Sequence, residues 1–186
     1  MLMMKNKLNF LTLIALLGVA FTGHAQRSKS AFGVSGGYVP DGFGIEASFN
    51  HYHNRTDFIK IATLATLANE PFDADLEIPY QNYLLNAGYY TALMQSPSSG
   101  MTFAVGAGIS FGYESINNGE QQLSNGSVIL SESGFVYGLT AGADYDVFLS
   151  SSISLFVPIN FIYQFNSDMG NNLIYGGLGL RYSLTQ

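Results

Sequence analysis

In eight separate stretches of this chain the apolar residues recur at every second position. A period of two belongs to a β-strand, whose successive side chains point to opposite faces. Residues 101–113 show it most clearly. Phe103, Val105, Ala107, Ile109, Phe111 and Tyr113 share one face, and Thr102, Ala104, Gly106, Gly108, Ser110 and Gly112 share the other. Residues 153–165 and 135–149 repeat the pattern. The eight stretches fall at 30–39, 42–53, 57–68, 78–94, 101–116, 135–149, 152–165 and 172–184. Pro158 interrupts one of them. Because proline removes a ladder donor, a bulge is expected there.

The connections alternate in character. Asn54–Thr56, Gln95–Gly100 and Ser150-Ser151 are short, whereas those at about 69–77, 117–134 and 166–171 are longer or more polar. The first, Pro40-Asp41, is tight. An even number of strands with short turns at one end and longer loops at the other is the plan of a bacterial outer-membrane barrel with both termini in the periplasm.

The two faces decide between lipid and water. In a soluble barrel the apolar face would point inward and the other would carry Lys and Glu. Here only 11% of the residues are charged, against about a quarter in an ordinary soluble domain. The polar face is mostly Gly, Ser, Thr, Asn and Ala, which suits the crowded interior of an eight-stranded barrel. The apolar face then meets lipid. Aromatics should gather on it in two girdles. Tyr38, Phe43, Tyr113, Tyr137, Tyr163 and Phe165 fall near the outer end, and Phe49, Phe103, Tyr145 and Tyr182 near the periplasmic end. Ile45, Ile61, Val105, Ile109, Leu139, Val157, Ile159, Leu178 and Leu180 lie between them. The expected fold is an all-β, eight-stranded, antiparallel up-and-down transmembrane β-barrel. Its closing segment, Gly179–Leu184, has the bulky alternation that barrel-assembly machinery recognises.

The N-terminus reads as an address. Lys5 and Lys7 precede a short apolar run from Leu8 to Phe21, and Gly23-His24-Ala25 is small at the two positions a signal peptidase reads. Residues 1–25 are the expected signal peptide and 26–186 the barrel domain, placed in the outer membrane of a Gram-negative cell. Without the signal the chain keeps five Lys and Arg against thirteen Asp and Glu, a net charge of −8. Direct nucleic-acid binding needs a basic footprint and is not expected. With no cysteine in the chain, disulfide scaffolds and Cys-ligated metals are excluded.

Charges on the inner face are few. Lys60, Asp144, Asp146 and Arg181 fall toward the periplasmic half, and Glu46 and Glu114 sit higher. A buried charge is costly unless paired, so Arg181 or Lys60 is expected to pair with Asp144 or Asp146 in a structural lumen cluster. His51 and His53 share one side of a strand end, as a metal pair would, but no third ligand follows. Glu70, Asp73, Asp75 and Glu77 crowd one outer loop, where calcium or plain solvation would suit them. No serine has a convincing His–acid partner. No catalytic residue, cofactor site or metal site is expected, and the chain reads as non-enzymatic.

Phe111-Gly112-Tyr113-Glu114-Ser115-Ile116-Asn117-Asn118-Gly119, a polar loop, and then Phe135-Val136-Tyr137-Gly138 resemble the conjugative transposon protein TraO family. So do Ala25-Gln26-Arg27, Ile78-Pro79 leading to Gly88-Tyr89-Tyr90, and the closing Gly177–Tyr182. The resemblance covers nearly the whole mature chain. It implies a place in the conjugation machinery of Bacteroides-type transposons, with other envelope or conjugation-apparatus proteins as partners beside the outer-membrane lipid. An eight-stranded barrel has no open pore, so the expected role is structural or docking, with the loop at 117–134 as the contact. The chain has no Trp and few basic residues. A second reading therefore stays open: a general small outer-membrane barrel for envelope stability or adhesion, unrelated to conjugation.

Overall fold

A computed structural model describes residues 29–54, 56–73, 76–96, 100–120, 128 and 131–184, with the backbone alone at 70–73, 76 and 77. The expected signal peptide, residues 1–25, lies outside the described residues. Eight strands follow in order: β1 (Ser30–Val39), β2 (Gly42–Tyr52), β3 (Asp57–Asp73), β4 (Leu76–Ser96), β5 (Met101–Ile116), β6 (Gly134–Phe148), β7 (Ile153–Gln164) and β8 (Asn172–Leu184). Each pairs antiparallel with the next, and β8 pairs antiparallel with β1, closing the barrel. Closure leaves no sheet edge along the wall, so every strand there has a partner on both sides.

The strands are steeply staggered. A lateral row that starts at Ser30 runs through His51, Ile59, Tyr89, Ala107, Ala141 and Phe161 to Ile174. Ser30 stands at the rim that carries the termini, and Ile174 stands near the opposite rim. The row therefore climbs most of the wall in one circuit, as the tilt of a closed barrel requires.

The alternation sorts the two faces. Ile45, Ile61, Ile109, Leu139, Ile159, Leu178 and Leu180 are all exposed on the outer wall. Aromatics border that band at both ends, and several touch one another. Tyr163 and Tyr137 each lie within 6 Å of Phe165, centroid to centroid, at 5.5 and 5.7 Å. The inner face is less uniformly small and polar than the sequence suggests. Phe58, Leu64, Leu84, Phe156, Ile162 and Tyr175 are fully buried inside. Glycines make room for the inner rings. At Gly106 a Cβ would fall 2.4 Å from Cγ of Tyr90, and at Gly142 one would fall 2.6 Å from the Tyr90 hydroxyl.

Two local expectations need correction. Pro158 makes no bulge: it pairs in register with Asp144, and the register with β8 is the same before it, at Phe156–Gly179, and after it, at Ile159–Gly176. Only the ladder at Val157 and Pro158 is interrupted, because proline has no N–H to give. The bulges lie instead between Ala92 and Met94 and between Pro71 and Asp73. The first turns Leu93 and Met94 outward together, at 60% and 69% exposure.

The expected loop at 69–77 is mostly strand. Pairing runs from Asn69–Pro79 to Asp73–Leu76, above the last partners in β2 and β5. The hairpin thus stands above the rim as an arm with two open edges. Asn69 N–H bonds to Asp41 O on the β2 side. By strand alternation, position 71 faces that same open side and position 79 faces the open β5 side. Both are prolines, which have no donor to offer an added strand. Changing Pro71 and Pro79 together to Val is expected to raise the dimer and higher oligomer fraction of detergent-purified protein, measured by light scattering. An unchanged monomer fraction would count against edge protection.

Candidate functional site: a buried ion network in the lumen

Among the described residues, five of the six buried charged side chains on the inner face gather in one network, none more than 3% exposed. Arg181 on β8 is the hub on one side. Its Nη1 bonds to Asp146 Oδ2 at 2.5 Å and its Nη2 to Asp144 Oδ2 at 2.6 Å. The guanidinium lies over the Phe156 ring, 4.1 Å from its centroid, so one face is covered by π density while the edge serves the acids. Ser154 donates its hydroxyl to Asp146 Oδ1 at 3.1 Å. Lys60 on β3 bridges the other side, 3.0 Å from Asp144 Oδ1 and 3.0 Å from Glu46 Oε1. Asn160 on β7 donates to Glu46 Oε2 at 2.5 Å.

The structure thus brings together Lys60, Asp144, Asp146 and Arg181. It also adds Glu46, which a count from the strand ends sets at a higher level. The stagger explains the difference: residues far apart in such a count stand across the lumen from each other once the rows climb. Glu114 remains apart, near the rim opposite the termini, where its carboxylate accepts from Ser167 Oγ at 2.7 Å and from the Asp168 N–H at 3.1 Å. The network carries three carboxylates and two cations, one net negative charge in a low-dielectric interior. Charge-assisted bonds and close pairing offset the large cost of desolvating these groups.

Apolar layers flank the network. Val39, Leu64, Leu84, Val136, Ile162, Leu173 and Tyr175 pack together toward the rim opposite the termini. Ala31, Tyr52, Phe58, Tyr90 and Ala104 pack together near the terminus-bearing rim, with Phe58 stacked on Tyr90 at 5.3 Å. The lumen is a filled core rather than a passage.

The other candidates stand elsewhere. His51 and His53 are exposed at the terminus-bearing rim, His51 with its Nδ1 3.3 Å from Ser30 Oγ. Asp75 lies outside the described residues, and Glu70, Asp73 and Glu77 have only their backbone described, which forms a strand-built arm rather than a loop. Among the described residues, no group of three or more His, Cys, Asp or Glu is placed to hold a metal ion.

A closed eight-stranded wall, an apolar outer belt with aromatic borders and a packed polar lumen define the class: small outer-membrane β-barrels. Solved members share the architecture at low identity. The outer membrane protein OprG from Pseudomonas aeruginosa is 11% identical, with a TM-score of 0.60 over 88% of this chain and 100% of that one. The N-terminal β-barrel domain of OprF from the same organism is 12% identical, with a TM-score of 0.56 over 84% and 98%. Ail, the attachment invasion locus protein of Yersinia pestis, is 12% identical, with a TM-score of 0.56 over 84% and 99%. Such distant likeness speaks to fold alone. The chain belongs to the family described as conjugative transposon protein TraO, whose profile matches residues 26–184. No curated protein matches it significantly.

Proposed function

We propose that this chain is a non-enzymatic, structural or docking component of a conjugative transposon DNA-transfer apparatus. It sits in the outer membrane of a Gram-negative cell with its termini in the periplasm. Membership of the TraO family carries the link to transfer, and the filled lumen supports the structural role. A core packed with ion pairs and rings leaves no bore for a nucleic acid. Of the five basic residues beyond position 25, Lys60 and Arg181 are held in the lumen network, which leaves little for a phosphate backbone.

The orientation rests on the connections. Those at the terminus-bearing rim, at 53–56, 97–100 and 149–152, are short, whereas two of those opposite, at 117–133 and 165–171, are long. The two long connections are stapled at their bases. Ile116 N–H donates to Ser133 Oγ at 2.9 Å, Glu132 N–H to Asp168 Oδ2 at 3.0 Å, and Asn166 Nδ2 to Phe135 O at 2.7 Å. A rim held this way can present a constant surface to another envelope or apparatus protein.

Deleting residues 121–130, with all three staples left in place, tests the reading. Transfer frequency in a mating assay is expected to fall while the protein still folds and reaches the membrane. Unchanged transfer would remove the loop from the role. Unchanged transfer after deletion of the whole gene would favour the alternative of a general envelope barrel for stability or adhesion.

A further inference from the structure

We propose that the lumen holds one structural water at Asn86, and that this water ties β4 into the ion network. Asn86 is 7% exposed, and neither its carboxamide nitrogen nor its oxygen has a hydrogen-bond partner in the protein. A buried amide left without both donor and acceptor contacts is rare in folded proteins. The side chain borders a small cavity whose walls include Glu46, Lys60, Tyr90, Thr140 and Asn160. The cavity leaves about 10 Å³ for the centre of a water-sized molecule. Space on that scale is about the least that admits one water.

The lining chemistry separates water from a small cation. The network carries a net negative charge, which by itself would favour a cation. Yet the Lys60 ammonium stands on the cavity wall, and a second positive charge there would meet like charge at short range in a low dielectric. A cation would also satisfy only the oxygen of Asn86 and leave its N–H groups unpaired. Water can donate to that oxygen and accept from that nitrogen. The Thr140 hydroxyl and the Glu46 carboxylate on the same wall complete the two to four partners that a buried water needs.

The placement gives the water a structural role. The network already joins β2 through Glu46, β3 through Lys60, β6 through Asp144 and Asp146, β7 through Ser154 and Asn160, and β8 through Arg181. Asn86 is a polar side chain of β4 facing the same space. A water bonded to it extends the cross-lumen tie to a sixth strand. The apolar layers on either side slow its exchange with bulk solvent.

Oxygen-17 relaxation dispersion on the refolded chain in detergent micelles counts waters held longer than the particle tumbles. The wild type is expected to hold one such water more than Asn86→Leu. Equal counts would overturn the proposal, and so would a wild type with no long-lived water, which needs no variant to fold. The unfolding midpoint provides a sign test. In a dry cavity, replacing an unsatisfied amide by Leu removes a buried polar cost, and the midpoint rises. With water bound, the same change breaks the water's bonds, and the midpoint falls. A fall is expected, and a rise would overturn the assignment.

Discussion

Replacing Arg181 by Met is expected to destabilise the barrel by about 3–5 kcal/mol, the cost of breaking a buried ion pair by removing one partner. Met keeps much of the length of the side chain and its contact with Phe156, so the loss reports on charge rather than on a cavity. The charge count explains why Arg181 matters most. Without it, Asp146 loses its cation and keeps the Ser154 hydroxyl bond, Asp144 keeps Lys60 as its cation, and the network holds three carboxylates against one cation. Asp144→Asn is expected to do less than half that damage, although Asp144 touches both cations. Its removal leaves Lys60 with Glu46 and Arg181 with Asp146, two balanced pairs. Denaturant unfolding in lipid vesicles, followed by the mobility difference between folded and unfolded forms on gels, measures both. If Asp144→Asn proves the more costly, the excess negative charge is not a liability and the balance argument fails.

Placing Arg at Ile109 is the second large perturbation. Ile109 is 46% exposed on the outer wall of β5, between Phe103 near one rim and Phe111 and Tyr113 toward the other. At the bilayer midplane an arginine on a lipid-facing strand costs about 2–4 kcal/mol, falling to about 0–1 kcal/mol near the interface. Phe165→Arg, at the aromatic border, is the matched control and is expected to stay within the lower range. The contrast between the two sites is the measurement. On a wall facing water the two substitutions would cost about the same, and neither would depend on depth.

Much of this architecture is legible because strand alternation is a local property. Each segment announces its own period, so eight strands and the inward facing of Lys60, Asp144, Asp146 and Arg181 can be read from one strand at a time. Reading strands by apolar alternation fails where the membrane ends. Above the rim no lipid demands an apolar face, so the β3–β4 arm continues through Asn69, Glu70 and Pro71 with no such signal. It also fails inside the lumen. Leu64, Leu84, Phe156 and Ile162 sit on the inner face, where a packed interior accepts apolar side chains as readily as small polar ones.

The partners of each inward charge are a different kind of fact. Lys60 on β3 reaches Asp144 on β6, and Glu46 on β2 reaches Asn160 on β7, because the successive registers and the β8–β1 closure together set the climb of the lateral rows. No single strand carries that quantity: it exists only once the sheet has closed. The sequence by itself determined the number of strands, their two faces and the lipid belt, since each depends on residues two apart. The tertiary structure alone decided which carboxylate meets which cation, which rings fill the lumen and how far the arm rises, because those depend on the stagger of the whole barrel.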